Sequence, residues 1–139
     1  MEPTPTRATD TAESASLQMA LQYVGQHVAV TIDRSYGSAH PVHGFRYEAN
    51  YGYIPGTLAP DGAELDAYLL GPTQPLDHGE GSCVGIIHRL SDDDDKLVVI
   101  PAGYDLTDDE ILTAVAFQER PGCHELLRPT LTGRSEPAR

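Results

Sequence analysis

Between Tyr47 and Lys96 the chain gathers side chains able to hold a charged oxyanion: aspartates beside turns, alternating tyrosines, and the sole lysine among 139 residues. Pro60, Asp61 and Gly62 spell a turn, so Asp61 belongs to a loop. The run LDAYLLG that follows alternates as a strand, with Asp66, Tyr68 and Leu70 on one face and Leu65, Ala67 and Leu69 on the other. An acid at a strand start beside an acid in a turn makes a bite for a hard cation. The same count along DKLVVI puts Asp94, Lys96 and Val98 on one face, so Lys96 projects with one carboxylate of the run Asp92 to Asp95. Carboxylate clusters without His or Cys select Mg²⁺ or Mn²⁺ over Zn²⁺ and keep places for water and substrate phosphates. Two such ions would hold the attacking and leaving oxygens of a phosphoryl transfer. Tyr51, Lys96 and one or more arginines would bind phosphate oxygens, the arginines in bidentate fashion. These are the parts of a metal-dependent phosphohydrolase.

The elements that must carry these residues can be read from periodicity. Residues 1–12 are mostly Thr, Pro and Ala in no periodic order and predict a disordered leader. In AESASLQMALQYVG, Leu17, Ala20, Leu21 and Val24 recur at helical steps and Gly25 stops the pattern, which predicts a short helix. Then come β-type runs, VAVTID, EANYGYI, LDAYLLG, SCVGIIHRL and KLVVIP, separated by Gly, Pro and Asp clusters. One good helix interrupts them in LTDDEILTAVAFQERPG. Thr107 and Glu110 form a capping box, Asp108 and Asp109 suit the positive end of the helix dipole, and Pro121 with Gly122 closes the segment. Its apolar face, Ile111, Leu112, Val115 and Phe117, should lie across the strands. Residues 13–126 are expected to form one domain and 127–139 a flexible tail; the pattern is a small, mainly β fold that leans to a barrel with helical additions.

Composition excludes several functions. With 21 acidic against 9 basic residues, the formal charge of −12 gives the wrong field for binding nucleic acid. No apolar run is long enough for a membrane helix, and the first residues lack the basic-then-apolar order of a secretory signal. A cytoplasmic protein with Cys83 and Cys123 as reduced, packing thiols is the expectation.

The segment YEANYGYIPGTLAPDGAELDAYLLG resembles the signature of the soluble family I inorganic pyrophosphatases, a Tyr-Pro-x-Asn-Tyr-Gly-[Tyr/Phe]-Ile-Pro-x-Thr-Leu run followed by an Asp-Gly-Asp-x-x-Asp metal motif. DDDDKLVVIP resembles the family's acidic loop and the Asp-x-Lys strand after it, and VTIDR and FQER give weaker echoes on either side. The resemblance implies a mainly β (α+β) fold, a five-stranded OB-like closed barrel with a C-terminal helix packed on it and a short N-terminal helix. It also implies hydrolysis of inorganic pyrophosphate to two phosphates by metal-activated water, with Mg²⁺ or else Mn²⁺, in a homo-oligomer. Carried over by position, it makes Asp61, Asp66, Asp92 and Asp94 metal ligands, with Asp66 bridging two ions. Lys96 and Tyr51 become phosphate contacts, joined by Arg34 and Arg46, with Asp33, Arg34 and Arg46 as the stand-ins left for the family's upstream lysine and glutamate; Asp61, Asp66, Lys96 and Tyr51 make up the catalytic set.

The chain also departs from the pattern. The middle acid of the metal motif, the family's general base, is Ala63; the proline after the signature's first tyrosine is Glu48; and the Tyr-Lys pair after the last helix has no counterpart. A second reading follows: a protein that kept the barrel, lost pyrophosphate hydrolysis and binds an anion or metal in a regulatory role, or hydrolyses an organic phosphate or pyrophosphate. Among the remaining polar residues, His40 and His43 read as solvent-exposed or pocket-rim histidines of a loop, where one would replace the missing base or a phosphate contact if that loop folds over the site. His88 reads as a satisfied core histidine in register with Val84 and Ile86, and Tyr53 as a core residue.

Overall fold

Closure of the sheet starts from β1 (His27–Arg34), which pairs at both edges: with β2 (Asn50–Ile54) on one side and β4 (His78–Arg89) on the other. The computed structural model describes residues 15–57, 62–90, 95–119 and 122–128. With β3 (Leu65–Leu69) and β5 (Lys96–Ile100) the order runs β1, β2, β3, β5, β4, and the pairing of β1 with β4 closes five strands into a barrel. All of these pairs are antiparallel except β3 with β5. That arrangement is the OB-like barrel expected. A sixth strand, β6 (His124–Leu127), which the sequence pattern did not announce, adds to the far half of β4 through Ile86, Ile87, His88 and Arg89.

Alternation divides the apolar residues into two cores. Val30, Ile32, Ile54, Leu65, Ala67, Leu69, Cys83, Ile86, Leu97 and Val99 fill the barrel, and helix α1 (Ala15–Leu21) closes against them with Leu17, Ala20 and the following Tyr23 and Val24. On the outer face Tyr68, Leu70, Ile87, Val98 and Ile100 pack under helix α2 (Asp108–Val115). Sandwiched between the two cores, all five residues of β5 are buried, as expected of a strand covered on both faces. The capping box starts α2 as predicted: Thr107 Oγ1 accepts from Glu110 N at 3.1 Å, and Glu110 Oε1 accepts from Thr107 N at 2.8 Å. The helix buries Ile111 and Val115, with Ala114 and Phe117 beside them, whereas Leu112 is only half-buried.

Two bulges break the simple count. In β4 the register slips between Cys83 and Gly85, so Cys83 and Ile86 both face the barrel while Val84 joins the outer core. Val84 and Ile86 therefore do not share a face, contrary to the sequence expectation. In β1 the register slips between Ile32 and Arg34. The leader, residues 129–139, and the segments 58–61 and 91–94 lie outside the described residues, whereas the first two residues of the expected tail are held: Leu127 ends β6, and Arg128 Nη1 donates to Leu106 O at 3.2 Å.

Candidate active site

The parallel pairing of β3 and β5 is what assembles the site. Ala67 stands opposite Leu97, so the outward residues one step earlier, Asp66 and Lys96, are neighbours at the same end of the two strands. The connections that enter this end are the β2–β3 and β4–β5 loops, whose segments 58–61 and 91–94 carry Asp61, Asp92 and Asp94; those three expected ligands lie outside the described residues.

Lys96 is 2% exposed, with its Nζ 2.8 Å from the hydroxyl oxygen of Tyr51 and 3.2 Å from Asp66 Oδ2. Nζ also lies 5.2 Å from the centre of the Tyr51 ring. A buried ammonium costs several kcal/mol in lost hydration unless partners replace the water, roughly the scale of the idealised penalties reduced by relaxation. Here a carboxylate and a phenol take water's place and fix the lysine's position. Asp66 remains 33% exposed while its partner is buried, so the pair has a solvent side at which an anion or cation can approach.

Arg34 reaches the same face because of the β1 bulge. Ile32 faces Gly52 inside the barrel; without a slip Arg34 would face inward too, but the extra residue Asp33 sets Arg34 opposite Tyr51. Gly52 is obligatory at this crossing, since a Cβ there would lie 1.8 Å from the carbonyl oxygen of Thr31. Arg34, whose Nη1 donates to Asp33 O at 3.0 Å, acts electrostatically on the hydroxyl of the buried Tyr47. Burial, as the first cause, raises the Tyr47 hydroxyl above its ordinary pKa; Arg34 opposes the shift, and Asp33 and Asp66 add to it. Arg34, Asp33, Asp66 and Tyr47 therefore share one electrostatic neighbourhood. The Tyr47 and Tyr51 rings stack at 5.9 Å, and Tyr51 rests on Tyr68 at 4.9 Å.

The remaining residues sort by what they touch. Asn50 of the signature is a clamp: buried, its Oδ1 accepts from Tyr36 N and Leu76 N, and its Nδ2 donates to Gln74 O. Thr57 ties the base of the Asp61 loop, its hydroxyl donating to Ile54 O and accepting from Leu65 N. Arg46 is exposed and donates to Gly37 O at 2.8 Å, in the short hairpin closed by the Ala39 and Arg46 bridge. Tyr53 is half-buried on the outer face opposite Asp66, not in the core. Asp95 has turned inward: at 2% exposure, its Oδ1 takes hydrogen bonds from Arg89 N at 3.0 Å and from the His88 ring at 2.8 Å. His88 is thus satisfied, by a carboxylate. Cys83 and Cys123 are free thiols.

The hairpin histidines differ from each other. His40 lies parallel to the Tyr47 ring at 6.1 Å, and its Nδ1 accepts from Val42 N and His43 N, each at 3.0 Å, which leaves the ring proton on Nε2. Desolvation, then the charges of His43 and Arg34, lower its pKa. His43 is exposed. Sequence reasoning missed Arg89 and Glu119, which form an ion pair between a half-buried guanidinium and a buried carboxylate, 2.9 Å from Arg89 Nε to Glu119 Oε1, beneath Tyr68. The only available signal was that Tyr68 shares the face of Asp66.

No three metal-ligating side chains converge among the described residues. The one described member of the expected ligand set, Asp66, offers a partly exposed carboxylate, whose oxygen chemistry suits Mg²⁺ or Mn²⁺.

Residues 25–121 match the family model described as inorganic pyrophosphatase. The inorganic pyrophosphatase of Haemophilus influenzae is 43% identical over 63 residues, 42% of this chain and 35% of that protein. That of Ralstonia nicotianae is 41% identical over 78 residues, 50% of this chain and 39% of the relative. The chain thus spans between a third and two fifths of the length of the curated relatives it matches. Among solved structures, the inorganic pyrophosphatase of Ehrlichia chaffeensis superposes with a TM-score of 0.56 at 21% identity, covering 68% of this chain and 80% of that one. The enzyme of Neisseria gonorrhoeae gives 0.50 at 26% identity, over 70% and 73% of the two chains.

Proposed function

The chain belongs to the inorganic pyrophosphatase family, and on that premise we propose that it hydrolyses inorganic pyrophosphate to two phosphates in a Mg²⁺-dependent reaction. The observation that carries this reading is the buried Lys96, pinned between Tyr51 and Asp66 on the solvent edge of the outer face. A lysine already stripped of water and held in place loses little freedom on meeting a phosphate oxygen, and its charge acts where water cannot screen it. Arg34, set on the same face by the bulge, supplies a forked donor for a second set of oxygens. Tyr51 orients Lys96 and brings its hydroxyl to the same oxygens. Asp66, with Asp61, Asp92 and Asp94, would hold Mg²⁺, which when bound supplies charge neutralisation and a more acidic water. The reading carries with it a cytoplasmic homo-oligomer; no described helix is long and apolar enough to cross a membrane.

Phosphate release from pyrophosphate, measured with and without Mg²⁺, tests the proposal. Ala63 favours the second reading, in which the substrate is an organic phosphate or pyrophosphate or the site only binds, because a methyl group stands in an exposed position where the family resemblance expects a general base. Ala63→Asp separates the two. A gain of about 100-fold or more in pyrophosphate turnover, the ordinary range for a positioned base, shows a site built for that substrate. No gain, together with turnover of an organic substrate, supports the second reading.

A further inference from the structure

Glu119 follows α2 and is 2% exposed, a carboxylate removed from water. Two partners hold it. Arg89 donates through Nε to Oε1 at 2.9 Å and through Nη2 to Oε2 at 3.3 Å, and the Tyr68 hydroxyl donates to Oε2 at 2.6 Å. Gln118 Nε2 donates to the same hydroxyl at 2.7 Å, which leaves the Tyr68 proton directed at Glu119. Each arm ends beside the site. Tyr68 is fully buried and its ring carries Tyr51, whose hydroxyl accepts from Lys96. Arg89 donates its backbone N–H to Asp95, the residue that closes the segment 91–94 and immediately precedes Lys96.

An ion pair whose carboxylate is buried is a poor device for stability alone, since well-packed apolar side chains of similar volume do as well or better once desolvation is counted. What directional bonds add is a defined position for each partner. We infer that Glu119 is a positioning residue for the phosphate-binding centre: through Tyr68 it fixes the Tyr51 platform, and through Arg89 it fixes the strand start that carries Lys96. The inference deepens the pyrophosphatase reading, on which its kinetic readout rests. Groups that orient site residues in this way typically change activity or ligand affinity by about 10- to 100-fold when removed.

Because Lys96 is the chain's sole lysine, protein labelled with ¹³C,¹⁵N-lysine gives one lysine side-chain signal, which reports the site without turnover. In Glu119→Gln and Tyr68→Phe the Lys96 signal is expected to move, and kcat for pyrophosphate to fall about tenfold or more with KM nearly unchanged. Thr107→Ala, which weakens the helix cap away from this network, is expected to leave the signal in place. Folded Glu119→Gln and Tyr68→Phe proteins whose Lys96 signal and turnover match the parent overturn the inference. Should Glu119→Gln fail to fold, Tyr68→Phe carries the same readouts, since it removes one hydroxyl from a ring that stays packed. A parent without pyrophosphate turnover whose Lys96 signal nevertheless moves in these variants leaves the positioning role standing and removes the hydrolytic reading alone.

Discussion

Lys96 concentrates the chemistry of this molecule at one atom. Its Nζ is held at 2.8 Å by Tyr51 and at 3.2 Å by Asp66, in a position where a neutral side chain of similar length could fill the space but not the role. Lys96→Met is expected to keep the fold and lose at least about 100-fold in pyrophosphate turnover, the usual scale for removing one charge-stabilising donor; steady-state kinetics beside circular dichroism checks it. Lys96→Arg is not expected to restore activity, because a planar fork cannot occupy the point position between a phenol and a carboxylate. Tyrosine and histidine differ from Lys96 in being shaped mainly by neighbours. His40 accepts two backbone N–H bonds at Nδ1, which only the neutral ring can do, so its NMR titration midpoint is expected below the ordinary 6.5.

Strand geometry decides which residues reach that atom. Gly52→Ala would place a Cβ 1.8 Å from Thr31 O, a clash with backbone that only moving β1 off β2 could relieve. The variant is expected to lose several kcal/mol, at least about 3, and to express mostly unfolded, as a thermal melt would show. Thr107→Ala, by contrast, removes one cap and is expected to cost about 1 kcal/mol. Simple alternation was enough to place Asp66 with Tyr68, and Lys96 opposite Asp95, because β3 and β5 are regular and their outward faces follow from counting by two. It failed at Val84, where one extra residue reverses every side chain beyond it and no residue type announces the slip. Family likeness names Arg34 as a phosphate contact, and what sets it opposite Tyr51 is the bulge. The Arg89, Glu119 and Tyr68 network was illegible for a different cause: its members come from β4, the end of α2 and β3, and nothing local in sequence links residues 30 and 51 positions apart.

For the whole molecule, the charge of −12 and the buried acids set the response to solution conditions. Burial raises the Cys83 thiol to about 11, and burial with the Glu119 charge raises the Tyr68 hydroxyl well above 10. Both groups keep their protons in the folded state where the unfolded chain releases them. Their contribution is therefore intact below the unfolded value of 9.0 for the thiol and declines as pH rises from there towards about 11. Urea unfolding midpoints are expected to fall over that range, and Tyr68→Phe should flatten the upper part of the decline. Divalent cations act in the opposite direction on the acidic end of the barrel: saturating Mg²⁺ at 100 times its dissociation constant should add about 2.7 kcal/mol, lost again on chelation.

The central claim, that a pinned lysine beside an acidic end makes this barrel a pyrophosphate hydrolase, is most directly tested by phosphate release from pyrophosphate in parent and Lys96→Met proteins, each with Mg²⁺ and with chelator. The expected result is release by the parent with Mg²⁺ only, reduced at least about 100-fold in Lys96→Met. A folded parent that releases no phosphate above the uncatalysed rate, or a Lys96→Met protein as fast as the parent, would contradict it.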